Sequence, residues 1–319
     1  MVEFLKLPVP YLLKEHIIYK DQRAIAILNP GIQMSFSQAD SKIHVTGPRG
    51  TALVDPDQPE DYLASLIAVN AILLGAEQSV HAVQEKLISD RYSRTTSYLC
   101  CIAKNCEQIE LFYLNVCDCS IAIIGCGGIG TLSAQILAGT GVKKLTLADH
   151  DHIEKSNFNR QFFWTLSDIG KLKAEVLKLR LLERYSDLKI QLHTEKAELT
   201  TLEAIVSSVD VILFTADEPI GLLREARLMA RKHNKKFVGA GYFMSEAILS
   251  MSATERPTDE RTIFPLSLKI APSFGPSNVE IAGAASAYLL LLVGNLIEER
   301  NEECIWEVNK WPWNSKDFI

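Results

Sequence analysis

Short apolar runs recur through the second two-thirds of the chain, near residues 121–124, 145–148, 189–193, 210–214, 236–240 and 247–252. Between the earlier runs lie stretches with apolar residues at helical spacing, near 130–139, 170–185, 200–208 and 220–233. Strand-length runs alternating with helix-length periods predict a doubly wound α/β domain on a mostly parallel sheet. Residues 1–88 read differently. A β-rich stretch from His16 to Leu28 meets a turn at Asn29-Pro30-Gly31, and Gly47-Pro48-Arg49-Gly50 and Asp55-Pro56-Asp57-Gln58-Pro59 mark further breaks. A helical pattern follows with Leu63, Leu66, Ile67, Ile72 and Leu73 on one side, then a second helix near Val80 to Leu87. The expected division is a small α+β module over 1–88 and an α/β domain over 89–319. The apolar run from Ile281 to Ile297 is broken by Gly283, Ser286, Gly294 and Asn295. It falls short of the ~20 residues of a membrane span and reads as a buried core or dimer-interface helix.

The strand at Ile121–Ile124 runs straight into Gly125-Cys126-Gly127-Gly128-Ile129-Gly130 and then a helix start at Thr131. Gly125, Gly127, Gly128 and Gly130 let backbone approach phosphate while the helix N-terminus faces the negative charge. The next strand, Leu145–Ala148, ends in Asp149, whose carboxylate suits ribose hydroxyls. To this point the pattern fits any dinucleotide-binding domain.

The run that follows narrows the choice. Asp149-His150-Asp151-His152-Ile153-Glu154-Lys155-Ser156-Asn157-Phe158-Asn159-Arg160-Gln161, with Gly170-Lys171-Leu172-Lys173 after it, resembles the signature of the E1-like ATP-dependent adenylating enzymes. Thr215-Ala216-Asp217, closing the apolar run Val211–Phe214, resembles that family's aspartate motif, and Arg91-Tyr92-Ser93-Arg94 its upstream arginine element. The resemblance spans about Arg91 to Gly294. It implies ATP on the glycine loop, with Asp149, Asp151, Asn157 and Gln161 lining the nucleotide. It also implies Arg160 and Lys173 on phosphate oxygens and Mg²⁺ held by Asp217. Arg94 would reach the ATP of a partner subunit, which makes a homodimer the expected state. A triphosphate needs cations that a bridging diphosphate does not, so the Arg and Lys add to the glycine loop. Taken singly, Arg160 or Lys173 reads as a surface charge and Asp217 as a helix N-cap.

Composition limits the partners. A net charge of −6, with no Lys/Arg block, argues against a nucleic-acid surface. At 47% hydrophobic content the chain has enough apolar residues for sizeable cores. Met1-Val2-Glu3-Phe4-Leu5-Lys6 lacks a signal-peptide layout, so a cytoplasmic chain with no membrane partner is expected. Seven cysteines, at 100, 101, 106, 117, 119, 126 and 304, include no C-x-x-C pair. Four thiolates at that spacing make the structural zinc site of many E1-like proteins, so no zinc is expected here. Cys117-Asp118-Cys119 and Cys126 read as packing residues.

Within the family, Arg91-Tyr92-Ser93-Arg94, Ile124-Gly125-Cys126-Gly127-Gly128-Ile129-Gly130, Thr215-Ala216-Asp217 and Gly239-Ala240-Gly241-Tyr242 resemble most the peptide-modifying branch, whose members act in microcin C and pantocin A maturation. The short length and the missing zinc cysteines lean toward the latter. This implies ATP-dependent activation of a carboxylate, a glutamate side chain in the pantocin case, within a ribosomally made precursor peptide. Residues 1–88 would be a winged-helix-like leader-binding module. The segment Glu255–Arg261 reads as a solvated crossover beside the substrate groove. The alternative is adenylation of the C-terminus of a ubiquitin-like sulfur carrier.

Overall fold

A computed structural model describes residues 11–38, 42–54, 62–196, 198–217, 221–243, 245–253, 273–300 and 303–307. The Asp55–Pro59 break and the Glu255–Arg261 crossover lie outside the described residues. The chain forms two compact units, 1–114 with 294–296, and 115–293 with 297–319.

The first unit carries two antiparallel sheets. Strands β1 (Tyr11–Lys14), β2 (Ile17–Lys20), β3 (Arg23–Leu28) and β7 (Ile72–Leu74) form one, in that order. Strands β4 (Gln33–Ser37), β5 (Lys42–Gly47) and β6 (Gly50–Val54) form a three-stranded meander that the hydrophobic pattern did not reveal. Between them in sequence lies α1 (Tyr62–Ala68). The expected helix through Ile72 and Leu73 is corrected here: α1 ends at Ala68, and Ile72 and Leu73 pair with Leu28 and Ile27 in the sheet. Three apolar residues satisfy either period, and the turn at Asn70, at φ 57°, breaks the helix before them. Helices α2 (Glu77–Leu87), α3 (Ser93–Ile102) and α4 (Cys106–Asp118) follow. The division between units falls inside α4, so residues 89–114 pack with the first unit.

A core of Ile18, Ala26, Val45, Leu66 and Ala71 joins the two sheets and α1. Beside it, two buried asparagines cross-link the unit. Asn29 Nδ2 donates to the carbonyls of Asn70 (3.2 Å) and Cys100 (3.0 Å), and Asn70 Nδ2 donates to that of Cys100 (3.1 Å). Buried amides are tolerated only when bonded, so these contacts hold α3 in register with the turn before β7.

The second unit is built on a seven-stranded sheet. Strands β8 (Ser120–Ile124), β9 (Lys144–Ala148), β10 (Lys189–His193), β11 (Val211–Phe214), β12 (Lys236–Phe243), β13 (Glu246–Ser250) and β14 (Glu303–Glu307) run in the spatial order β10-β9-β8-β11-β12-β13-β14. The first five of that order are parallel, and β13 and β14 are added antiparallel. This is the α/β sheet that the alternation predicted. Central strands buried on both faces explain the unbroken apolar runs, as all four residues of β11 are buried. Helices α7 (Leu199–Ser208) and α8 (Leu222–Lys232) cover one face through Leu202, Ile205, Val206, Leu222, Ala226 and Ala230, packed on Ile212, Phe214 and Phe237. On the other lie α5 (Gly128–Thr140), α6 (Lys173–Arg184) and α9 (Gly275–Val293), with α9 packed along α5, β12 and β13. Residues 281–293 of the late apolar run therefore form the C-terminal part of α9, and the run's last residues lie past its end. That helix is long and apolar enough to span a bilayer by composition, but 56% of its most apolar window is buried inside the structure.

Strand order reverses its direction of growth between β8 and β11, and ligands of open α/β sheets sit at the carboxyl ends beside such a switch. Asn70 yields a stability test for the first unit. Asn70→Ala removes buried hydrogen bonds and strains a left-handed residue, and should cost about 2 kcal/mol. Asn70→Gly relieves the strain alone and should cost less. Urea unfolding of the three proteins checks the order, and equal midpoints for Ala and Gly would remove the backbone contribution.

Candidate active site

The site grows from the place where β8 and β11 end side by side. Thr215 N–H donates to Ile124 O (2.8 Å), and the Thr215 hydroxyl donates to Gly125 O (2.7 Å), closing the crevice with hydrogen bonds. Gly125 has φ 97°, and a Cβ there would lie 2.6 Å from Ala216 N. Gly130, on the first turn of α5, would drive a Cβ onto Gly125 O and to 2.9 Å from Thr215 Oγ1. Only glycine permits this approach of backbone to backbone. Gly127 is the N-cap of α5 and Gly128 its first residue, so their N–H groups belong to the helix end that favours anions. Cys126 is fully buried, and burial pushes its thiol well above the ordinary range.

Asp149 follows β9 and braces the loop. Its Oδ2 accepts from Cys126 N–H (2.6 Å) and its Oδ1 from Asp151 N–H (2.8 Å). Burial raises its pKa, against the pull of Lys173. Lys173, the first residue of α6, is buried and donates from Nζ to Asp151 Oδ2 at 2.8 Å, while its own N–H donates to Asp151 O. Burial works against the Asp151 charge, but the Lys173 hydrogen bond and charge outweigh it and hold the pKa below the ordinary value. Lys173 is thus anchored at both ends of its residue to one aspartate.

Arg160 stands on the loop between β9 and α6, its Nη1 donating to Ser156 O (3.0 Å) and Asn159 Oδ1 (2.9 Å). Asn157 and Gln161 are buried and engaged within that loop. Asn157 Oδ1 accepts Glu154 N–H (3.0 Å), and Gln161 Oε1 accepts the Trp164 indole N–H (2.7 Å). Both shape the loop that carries Arg160, and Gln161 also borders Gly127. Asp217 is exposed three residues beyond β11. It is not the N-cap of α8, a position held by Gly221, and no described residue pairs with it. Arg94 lies exposed on α3 in the first unit.

Sequence reading missed two supports. Asp168 Oδ2 accepts from the Thr165 N–H (2.9 Å) and hydroxyl (2.7 Å), and its carboxylate also meets Lys171 (2.9 Å) and Arg180 (3.2 Å). The Thr165 hydroxyl, with these other donors, holds Asp168 well below the usual carboxylate range. The second support is the start of α9. A Cβ on Gly128 would lie 2.6 Å from Asn278 Oδ1 and 3.1 Å from Arg160 O, and one on Gly275 would lie 2.8 Å from Asn159 O. Segments more than a hundred residues apart meet here, and local spacing carries no trace of that.

The model of the ThiF family matches residues 108–309, more than half of the chain. The chain belongs to the ThiF family. Among curated ThiF relatives, an adenylyltransferase and sulfurtransferase MOCS3 of Drosophila willistoni is 33% identical over 160 residues, half of this chain and 34% of the relative. The sulfur carrier protein ThiS adenylyltransferase of Escherichia coli is 37% identical over 100 residues, 31% of this chain and 40% of the relative. The chain thus spans well under half the length of these ThiF-family proteins. Its fold is similar over most of its length to crystal structures of E. coli MccB. The ATP complex aligns with a TM-score of 0.66 at 20% identity, covering 90% of this chain and 98% of MccB. PaaA gives 0.64 at 18% identity, covering 88% and 96%.

Two outcomes check this geometry. Gly130→Ala should lower thermal stability by the strain of pushing the first turn of α5 off Gly125 O and the Thr215 hydroxyl, about 1–3 kcal/mol. Gly283→Ala, where an added Cβ meets nothing within 4 Å, should be neutral or stabilising on the same scan. For Asp168 the depressed folded pKa means its contribution is full above the unfolded value, near pH 4, and fades as pH falls. The stability gap between wild type and Asp168→Asn should hold from about pH 8 to 5 and shrink below about pH 4. A gap unchanged down to about pH 3 would show that charge plays no part.

Proposed function

We propose that the chain activates a carboxylate by ATP-dependent adenylation. The observation that carries this reading is the pairing of a glycine phosphate loop, closed by Thr215 at the strand-order switch, with a buried lysine poised on Asp151. A bridging diphosphate is served by the glycine loop alone, so added cations suit a triphosphate. Phosphate oxygens would replace Asp151 as the partner of Lys173, and Arg160 would swing from Ser156 O to the same phosphates. Charge-assisted bonds of this kind are among the strongest a site can make. Asp149, Asp151, Asn157 and Gln161 would border the adenosine and phosphates. An unpaired carboxylate beyond a strand end suits Mg²⁺, which takes one or two carboxylates and keeps its waters, so Asp217 would hold it. Bound there, Mg²⁺ offsets charge on the phosphates. In the reaction a substrate carboxylate oxygen attacks the α-phosphorus. The new O–P bond forms as the P–O bond to the β-phosphate breaks, and pyrophosphate leaves. Positioned cations lower the barrier because two anions must meet.

For the substrate, the likeness to MccB over 90% of this chain supports a ribosomal precursor peptide, since MccB structures include complexes with MccA. Residues 1–88 would then bind the leader, gathering affinity far from the reacting carboxylate. The reading stays at the peptide-modifying branch; the narrower pantocin A assignment has no separate support. The active form would be a homodimer in which Arg94 serves the partner's ATP, with no zinc, in the cytoplasm, without nucleic acid or membrane. One observation favours the alternative, adenylation of a sulfur-carrier C-terminus: the 37% identity to the ThiS adenylyltransferase.

Candidate precursor peptides and a ThiS-like carrier, each with ATP and Mg²⁺, should separate the two. A mass change in the peptide, with AMP and pyrophosphate released, is expected. Arg160→Ala and Lys173→Ala should each cut turnover at least about tenfold, since each loses a charge-assisted bond worth ~1.5–3 kcal/mol. Adenylation of the carrier alone would replace the peptide reading, and near-wild-type turnover in both variants would sink the phosphate assignments.

A further inference from the structure

Beyond the residues assigned so far, the carboxyl end of β12 carries a polar chain that no step above uses. The register pairs Phe214 of β11 with Gly239 of β12. Tyr242 therefore lies three residues past the pair on its strand, and Asp217 three residues past it in the segment that follows β11. The Tyr242 hydroxyl is hydrogen-bonded to Ser273 Oγ. Asn278 Nδ2 donates to Phe274 O at 2.7 Å and reaches Ser273 Oγ at 3.4 Å. Its Oδ1 is the atom packed on Gly128. The chain thus runs from the carboxyl end of β12, through the residues before α9, to the glycine loop.

Proton counting makes this chain more than packing. A hydroxyl offers one donor and two acceptor sites. Between Tyr242 and Ser273 there are two protons and one shared bond, and Asn278 only donates. Whichever hydroxyl donates in the shared bond, one proton is left with no acceptor among the described residues. Both side chains are half-buried, so a ligand can reach that proton. Gly241 beside them leaves open space where a side chain would stand.

We propose that Tyr242 and Ser273 anchor the acceptor side of the site: their spare proton is donated to one oxygen of the incoming carboxylate, and Asn278 ties the pair to the phosphate loop. A neutral donor orients the carboxylate while leaving the other oxygen free to attack. A cation at the same place would neutralise the nucleophile. The arrangement also sets the acyl group relative to the α-phosphate through one asparagine, so position is fixed before reaction. The inference rests on the adenylation reading and deepens it by naming the carboxylate's contact.

The test uses two probes that need no knowledge of the peptide. 5′-O-(N-acetylsulfamoyl)adenosine mimics an acyl adenylate, and 5′-O-sulfamoyladenosine lacks the acyl carbonyl. Wild type should prefer the acyl probe, and Tyr242→Phe/Ser273→Ala should lose about tenfold of that preference. ATP affinity should stay within about twofold, because a bond to the acyl oxygen contributes nothing to ATP. The single variants each keep one hydroxyl and should fall between, and Ser273→Thr should retain the wild-type ratio. If the double variant fails to fold, wild-type ratios in both singles overturn the proposal. So does an unchanged ratio in the double variant, a parallel loss of ATP affinity, or no acyl preference in wild type. Wild type that binds neither ATP nor either probe would instead remove the nucleotide-site reading, and this inference with it.

Discussion

The second unit depends on how closely β8 and β11 approach at their carboxyl ends. Gly125 touches Ala216 and Gly130 touches Gly125, so backbone lies on backbone with no side chain between. The Thr215 hydroxyl and N–H then fasten the two strand ends with directional bonds. Everything charged in the site is placed relative to this seam. Asp149 and Asp151 follow the strand beside β8, Asp217 follows β11, and the start of α9 rests on Gly128.

The electrostatic design then follows from burial. Two aspartates and one lysine lie together, and the lysine bonds directly to only one of the acids. Asp151 gains that bond and stays readily ionised, whereas Asp149 is left with backbone donors and a raised pKa. The two carboxylates thus differ in character although they are two residues apart. Asp168 supplies a third anchor through Thr165, Lys171 and Arg180, fixing the turn that leads into α6.

The parallel sheet was legible because buried central strands show as unbroken apolar runs, and the glycine loop because its constraint lies within six residues. Lys173 and Arg160 entered only as positions in a signature that the run resembles; spacing by itself read each as a surface charge. The helix expected over Ile72 and Leu73 became β7 because a three-residue run fits either period and only the turn at Asn70 decides. The meander β4–β6 escaped because its exposed residues outnumber its buried ones, leaving little alternation to read. Asn157 and Gln161 stood in a motif, and spacing alone gave no sign that their side chains close on Glu154 and Trp164. Tyr242 stood in the run Gly239–Tyr242 that entered the resemblance, but its meeting with Ser273, and that of Asn278 with Gly128, depend on the packing of α9, which no local pattern encodes.

Cys126 sits in the middle of the glycine loop with its sulfur sealed from solvent and its pKa raised. Oxidants and alkylating reagents act on exposed thiolate. Burial and a raised pKa both disfavour exposed thiolate at Cys126, so its sulfur is shielded from such reagents while the loop stays closed. Cysteine serves there as a small apolar wedge, and any reagent that reaches it reports that the loop has opened.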